Sequence, residues 1–405
     1  MKKLKLTGKY MRALGYPEGP VISIAMNIIA KEFKKAKDGE IEFILLSILQ
    51  NPEAYIDHRV LGKIAVKLLP PISKEIQLKD KGIEFAIFGK EHIEQGAIHQ
   101  MHIASKLPIA QKGALMPDAH SGYGLPIGGV LATKNTVIPY GVGVDIGCRM
   151  SLSILDISLD YFEKNKDIFI SELNKSTLFG SGAEFQRSSD HPILGNDTFN
   201  QVQILKNLHG KAWKQLGSSG SGNHFVEFGE VQINVQDEVL LVPPGRYLGL
   251  LSHSGSRGLG ASIAQHYTKI AKDQCQLPGE AKNLAWLDLG SDDGLEYWLA
   301  MNLAGDYASA CHEVIHKKII ASLRCQVIGK VENHHNFAWK ELIDGEEWIV
   351  HRKGATPAGP NILGIIPGSM TEPGYIVKGR GNGSSLNSAS HGAGRKMSRT
   401  VAKQS

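Results

Sequence analysis

The stretch YGVGVDIGCRM, residues 140–150, sets a carboxylate, Asp145, three positions before a thiol, Cys148, in a glycine-rich turn. Glycine lets the backbone bend tightly, so the two groups can share one small space. That space suits a metal ion, and it equally suits a tight turn around a buried cysteine. The chain has sixteen histidines, and several sit beside Gly, Ser or Asn rather than in apolar stripes. MPDAHSGYG holds Asp118 and His120, GSSGSGNHFVEF holds Asn223, His224 and Glu227, and LLSHSGSRGLG holds His253 and Arg257. ENHHNFAW adds His334 and His335, and SASHGAGRKMSR adds His391, Arg395 and Arg399. A lone loop histidine is usually a surface or cap residue. Several in polar, glycine-flanked turns favour convergence, because such turns let backbone and side chain meet an ion or phosphate together. Asp, Cys and His would make a mixed hard and soft donor set. A thiolate can bridge two ions, a carboxylate suits Mn²⁺ or Mg²⁺, and imidazole suits Mn²⁺, Zn²⁺ or Fe²⁺. A structural zinc site would gather more cysteines at short spacing, and Cys148, Cys275, Cys311 and Cys325 form no such pair.

A second histidine pattern competes. HEVIH carries the HExxH arrangement of zinc hydrolases, His312 and His316 one helical turn apart with Glu313 as the base. It sits in a long helical run beside KKII, and no glycine-rich third-ligand segment follows, so a solvated helix face is the expectation. For anions, neither GxxxxGK[ST] nor GxGxxG occurs in a convincing setting. GSSGSGNH, PGSM (Pro367 to Met370) and HGAGR instead offer runs of backbone N–H groups, as plain turns also do. Arg257, Arg352, Arg395, Arg399 and Lys353 accompany these loops. Guanidinium forks match phosphate oxygens, so the set leans toward phosphoryl or nucleic-acid chemistry.

These loops need a scaffold. Residues 1 to about 80 read as helical and lysine-rich. GPVISIAMNIIAKEFKKAKDG, IEFILLSILQN and RVLGKIAVKLLPPI carry apolar residues at helical spacing, and Pro70-Pro71 breaks the pattern. From about residue 84, short β-type runs separated by glycine take over. IEFAIFG, GGVLATKNTVIPYGVGVDIG, MSLSILDISL, HFVEFGEVQINV and RYLGLLSHSGSRG come first, EWIVHRKGATPAGPNILGIIPGSM and GYIVKG last. Helical TFNQVQILKNLHGKAWKQLG and GLEYWLAMNLAGDYASACHEVIHKKIIASL intervene. Strands and helices do not alternate strictly. That predicts an α+β fold, a mixed β-sheet core with surrounding helices, rather than a doubly wound parallel sheet. At 405 residues, with 42% hydrophobic and 21% charged, the composition argues against a disordered chain. The net charge of +5 fits an anionic partner. Scattered cysteines, a basic start without an apolar leader and no run of about 20 apolar residues predict a cytoplasmic protein without a membrane span.

Eight motifs in order resemble one family, the RtcB RNA-splicing ligases. They are MPDAHSGYGLPIGGV, VGVDIGCRM, GSGNHFVEF, HSGSRGLG, HHNF, VHRKGAT, IIPGSM and SASHGAGRKMSR, spread over about residues 85 to 400. The resemblance implies an RtcB-like catalytic domain over 81–405 behind a helical extension over 1–80. It implies an enzyme of tRNA splicing or RNA repair, using GTP and two Mn²⁺ ions. The RNA ends would carry a 2′,3′-cyclic phosphate or 3′-phosphate on one side and a 5′-hydroxyl on the other. By the same mapping, Cys148 bridges two metals, Asp145 and His335 complete one shell, and His224 and His253 the other. His391 is the nucleophile that takes GMP, and Asp118 an acid of the RNA steps. Asn223, Phe225, Glu227, His335, Asn336, Pro367, Gly368, Ser369 and Met370 would line the nucleotide site with Gly392, Ala393, Gly394 and Arg395. Arg257 and Lys353 would hold phosphates of RNA or nucleotide. The resemblance also brings in an archease-type activator as a partner. Family members commonly continue past HGAGR into a lysine-containing tail that helps hold guanine; this sequence stops at Ser405, so a short tail is expected. Alternatives are a homologue limited to RNA-end hydrolysis or RNA binding, and a zinc hydrolase built on HEVIH.

Overall fold

Two β-sheets carry the loops singled out above, in a computed structural model that describes residues 6–17, 19–34, 36–69, 75–369 and 372–394. The chain divides into two compact units, Met1–Lys74 and Glu75–Ser405. The first is helical, with helices Gly8–Ala13, Pro20–Glu32, Asp38–Gln50 and Gly62–Leu68. Ala25 and Ile29 on the second, Ile41, Leu45 and Ile48 on the third and Ile64 on the fourth recur at three- to four-residue steps and are buried with Met11 and Tyr16. The Tyr16 hydroxyl donates to the Leu45 carbonyl at 2.9 Å, which satisfies its polar tip inside that core.

In the second unit a five-stranded sheet runs β1 (Phe85–Ile87), β2 (Ala110–His120), β3 (Ile127–Thr133), β11 (Glu346–Lys353), β10 (Phe337–Ile343). β1 pairs with β2 in parallel, and the other neighbours are antiparallel. A four-stranded antiparallel sheet runs β6 (Phe225–Ile233), β7 (Gly245–Ser254), β5 (Arg149–Leu155), β9 (Val327–His334). Three short pairs complete the set: β4 (Thr136–Val137) with β8 (Leu287–Asp288), β12 (Ala355–Pro357) with β15 (Ser388–Ser390), and β13 (Leu363–Ile366) with β14 (Tyr375–Lys378). Mixed sheets with helices packed around them make the α+β fold expected from the irregular element order. The run GGVLATKNTVIPYGVGVDIG breaks into β3, β4 and a helical turn, Pro139–Val142, which proline favours at its first position. Helix Arg257–Gln274 begins inside the stretch RYLGLLSHSGSRG that the sequence pattern marks as β-type.

The four-stranded sheet decides where the chemistry goes. With antiparallel neighbours in that order, the starts of β5 and β6 and the ends of β7 and β9 share one edge. Arg149 accordingly sits opposite Ser254 and His334, and Phe225 opposite His253. Side chains alternate along a strand, so His253 points to one face while Ser252 and Ser254 point to the other. The serine face, with Leu248 and Leu250, packs on the 32-residue helix Asp292–Leu323 through Ile315 and Ile319. The histidine face, with Met150, Leu152 and Leu251, packs against Leu363, Ile365 and Ile376 of the β13–β14 hairpin. The same long helix shares a core with helices Gln203–Gln215 and Arg257–Gln274 through Tyr297, Met301, Leu205, Leu259 and Ile263. Each such buried side chain stabilises by about 1.5–3 kcal/mol. Among the described residues no helix is long and apolar enough to cross a membrane, and all four cysteines are free.

Candidate metal centre and nucleotide cleft

At the shared edge, Asp145 and Cys148 sit in the turn before β5, His224 just before β6, His253 near the end of β7 and His335 just after β9. The turn requires its glycines. Gly147 takes φ +67°, and a side chain there would strike Gly305 of the long helix; one at Gly255 would strike the Asp145 carboxylate. Asn336, at φ +64°, ties the turn to the other sheet: its carbonyl accepts from Gly147 N–H at 2.9 Å and its Oδ1 from Gly354 N–H at 2.8 Å. The Cys148 carbonyl accepts from His335 N–H at 2.9 Å. Arg149, for which sequence reasoning gave no role, braces the turn. Its guanidinium donates to Glu332 at 2.5 Å, the Gly305 carbonyl at 2.7 Å and the Gly147 carbonyl at 3.3 Å. Burial would raise the Glu332 carboxyl, but the charge and hydrogen bond of Arg149 hold it down at about 2. The signal available in the sequence was an arginine directly after Cys148 in GCRM.

Cys148 Sγ lies 3.2 Å from His253 Nε2 and 3.5 Å from His224 Nε2. His253 Nε2 is 3.3 Å from His335 Nε2, and His224 Nε2 is 2.7 Å from Asp145 Oδ2. The donors form two sets that share the thiol: Cys148, His253 and His335, and Asp145, Cys148 and His224. This grouping differs from the one implied by resemblance, which put His335 with Asp145 and His253 with His224. Strand order is the reason. β7 and β9 are the direct neighbours of β5, so their histidines flank Cys148, whereas β6 lies one strand farther out, where the Asp145 carboxylate reaches. His334 turns away from both sets, its ring against Phe337 and Trp339.

The donor chemistry fits divalent metal ions. His253 Nδ1–H donates to the Asn223 carbonyl at 2.9 Å, which leaves a lone pair on Nε2 aimed at Cys148 and His335. His335 Nδ1 is buried with no hydrogen-bond partner among the described residues. Ligand atoms held about 2.0–2.3 Å from one ion lie roughly 3–4 Å apart, and the donor atoms of each set here all lie within 4.8 Å of one another. Burial, then the neighbouring His391, pushes His335 well below its ordinary range; burial, then His224, brings His253 to about 4. Both stay neutral near pH 7, the form that binds metal. Burial and then the Asp145 carboxylate push the Cys148 thiol up, a shift that coordination to a cation reverses. Burial would raise Asp145, but the hydrogen bond and charge of His224, with Arg257 behind, hold it below the usual carboxylate range. Arg257 donates to His224 Nδ1 at 3.1 Å, so the His224 proton sits on Nε2 facing Asp145. A cation entering that set takes the proton's place.

His391 follows β15 and meets buried Asp118 of β2. Asp118 Oδ2 accepts from His391 Nδ1–H at 2.8 Å and from the backbone N–H groups of His391 and Gly392 at 3.2 and 3.1 Å. With the proton on Nδ1, the lone pair is on Nε2. The His391 ring centre is 4.9 Å from that of His335. His120 keeps its Nδ1 near the Asp118 carbonyl, at 3.1 Å.

Beside His224 a cleft of about 1150 Å³ opens between β6 and the β13–β14 hairpin, lined by Asn223, Phe225, Glu227, Pro367, Gly368, Ser369, Tyr375 and Lys378 among others. Burial raises the Glu227 carboxyl. His335, Asn336, His391 and Gly392–Gly394 do not line it. Met370, Arg395 and Arg399 lie outside the described residues.

A family model described as tRNA-splicing ligase RtcB matches residues 100–405. The chain belongs to the RtcB family. It is 31% identical over 341 residues to the RNA-splicing ligase RtcB of Escherichia coli (strain K12), covering 77% of this chain and 81% of that protein. It is 30% identical over 380 residues to the tRNA-splicing ligase RtcB of Nanoarchaeum equitans, covering 77% and 79%. Against the RNA-splicing ligase RtcB homolog 1 of Entamoeba dispar it is 29% identical over 384 residues, covering 75% and 69%.

Two groups that the sequence offered for RtcB-type or rival chemistry are occupied elsewhere. Arg352 is fully buried; it forks onto Glu341, donates to Ser388 Oγ at 2.7 Å and to the Leu386 carbonyl at 2.8 Å, and so is not open to phosphate. HEVIH is neither a metal set among the described residues nor a solvated face, since His312 and His316 are 1% and 5% exposed. His312 Nε2–H donates to the Ser254 carbonyl at 3.2 Å, so its Nδ1 accepts from the Ser252 hydroxyl at 2.6 Å. Ser252 Oγ accepts in turn from His316 Nε2–H at 2.7 Å, and His316 Nδ1 accepts from the Ser153 hydroxyl at 2.8 Å. Glu313 pairs with His191 at 3.2 Å instead of facing the two rings. The four ring nitrogens are satisfied, which is why these histidines can be buried.

Proposed function

We propose that this protein is a GTP- and Mn²⁺-dependent RNA ligase. It joins RNA ends bearing a 2′,3′-cyclic phosphate or 3′-phosphate to 5′-hydroxyl ends through GMP held covalently on His391. One observation carries the reading: a two-set donor cluster has a nucleotide-sized cleft beside His224 and, beside His335, a histidine oriented by Asp118. The names of the relatives as RNA-splicing ligases support the reaction class.

Cys148, His253 and His335 would hold one ion, and Asp145, Cys148 and His224 the other; bound there, two divalent ions supply positive charge for phosphate oxygens. Asp118 holds the His391 proton on Nδ1 and so leaves Nε2 as the nucleophile. Nε2 attacks the α-phosphorus of GTP, the N–P bond forms and pyrophosphate departs. Once water has opened a cyclic phosphate to a 3′-phosphate, an oxygen of that phosphate takes GMP, and His391 returns to neutral imidazole. The 5′-hydroxyl then gives up its proton, attacks the 3′-phosphate phosphorus and displaces GMP. Asn223, Phe225, Glu227 and Pro367–Ser369 take the nucleoside, and Arg257 and Lys353 take phosphates. On this reading Asp118 serves the nucleotidyl step as well as the RNA steps. An archease-type activator and a cytoplasmic setting belong to the same reading.

The test is covalent labelling with α-labelled GTP and Mn²⁺. The wild type takes up label, and His391→Ala loses it while keeping its metal. A wild type that takes no label contradicts the proposal.

A further inference from the structure

We infer that Tyr123, with Tyr140 behind it, is a stacking platform for an unpaired RNA base beside the reactive phosphate, an assignment that rests on the ligase reading above. The ring belongs to the loop that leaves β2 just after Asp118 and His120. That loop is pinned. Gly122 N–H donates to Gln100 Oε1 at 2.9 Å, Gln100 Nε2 donates to the Gly122 carbonyl at 2.6 Å, and Lys353 Nζ donates to the Tyr123 carbonyl at 2.5 Å. Gly124, at φ +75°, fits so close to Asn283 that a side chain there would meet its carbonyl, and Leu125 is fully buried. Yet Tyr123 is 71% exposed. A bare ring on a pre-ordered loop spares a ligand the cost of ordering that loop, and every nucleobase offers a π-face of matching size.

Charge favours a nucleic acid as the occupant. The Tyr140 ring centre, 6.4 Å from that of Tyr123, has Lys353 Nζ at 5.2 Å and Lys272 Nζ at 5.7 Å. Burial brings Lys353 down to about 8, and burial, then the charge of Lys282, lowers Lys272, so Lys282 lies close to Lys272. Cations interleaved with aromatic rings match a strand that carries a phosphate beside each base. The patch is also joined to the nucleophile: Gly354 follows Lys353, and its Cβ position would lie 3.1 Å from His391 Cε1.

The experiment is fluorescence anisotropy with single-stranded RNAs ending in a 3′-phosphate or a 5′-hydroxyl, each with an intact or an abasic terminal nucleotide. Wild type, Tyr123→Phe and Tyr123→Ala are compared. For at least one of the two ends, Tyr123→Ala weakens binding of the intact strand about 5- to 150-fold, the range of base–aromatic stacking. Tyr123→Phe binds as the wild type does, and the abasic strand binds equally to all three. If the wild type is indifferent to the terminal base, or Tyr123→Ala loses the abasic strand equally, stacking is overturned and the ligase reading stands. A wild type that binds neither RNA overturns both.

Discussion

Two groups of histidines lie back to back across β7, and they differ in what their ring nitrogens meet. On one face His253 joins Cys148, His224, His335 and Asp145, donor atoms crowded against one another. On the other face, His312 and His316 are strung between Ser153, Ser252 and the Ser254 carbonyl in one consistent direction of hydrogen bonds. In the first group His335 Nδ1 has no hydrogen-bond partner among the described residues; in the second every ring nitrogen has one. Burial alone therefore says nothing about function, because it drives His253 and His335 on one face and His312 and His316 on the other to the neutral form. What separates them is the company: a thiol, a carboxylate and imidazoles on one face, serine hydroxyls and a carbonyl on the other.

Substitutions can sharpen that contrast. The largest effect is expected on the side of the donor cluster, where His391 is held poised by a carboxylate. Asp118→Asn removes the charge that fixes the Nδ1 proton, and GMP labelling slows by roughly 10²–10⁴-fold, the usual worth of such a group. A labelling rate near the wild type's would show that Asp118 does not orient His391. On the serine side, His312→Ala strips partners from Ser252 and Ser254 and opens a cavity. Urea denaturation should register about 3–5 kcal/mol of lost stability with metal content unchanged.

Acid distinguishes the groups next. Burial first, then His316, brings His312 to about 3, and burial first, then Lys330, brings His316 to about 4, against 6.5 in an unfolded chain. The unfolded chain then binds more protons, so stability is full above about pH 6.5 and falls as pH drops toward 3–4. At pH 5 each histidine costs about 2 kcal/mol. Denaturation at pH 7 and pH 5 should show the loss, and His316→Gln should shrink it; an unchanged pH slope would place the His316 ring in water. The smallest effect is Glu313→Gln. Its pairing with His191 is at the surface, so stability should stay within about 0.5 kcal/mol.

Much of this was legible in the sequence because the relevant signals are local. Turns rich in Gly, Ser or Asn marked Asp145, Cys148, His224, His253, His335 and His391, and the irregular order of elements marked an α+β core. The grouping of the candidate donor atoms was not legible, because it depends on which strands neighbour β5, and sheet order is a long-range property. HEVIH misled for a related reason: its hydroxyl partners come from β5 and β7, far away in the chain. A local cue did exist, the serines alternating through SLS at 151–153 and LLSHS at 250–254, each spaced to share one face of a strand. Arg352 was misassigned because a buried fork onto Glu341 and a phosphate-binding fork look alike in one dimension.

The contrast across β7 is tested most directly by counting metal. Wild type, Cys148→Ser and His312→Gln are loaded with Mn²⁺, desalted and analysed by elemental mass spectrometry, with circular dichroism to confirm folding. The account predicts two ions per chain in the wild type and in His312→Gln, and none retained in folded Cys148→Ser. Metal that survives in Cys148→Ser, or that leaves with His312, would contradict it.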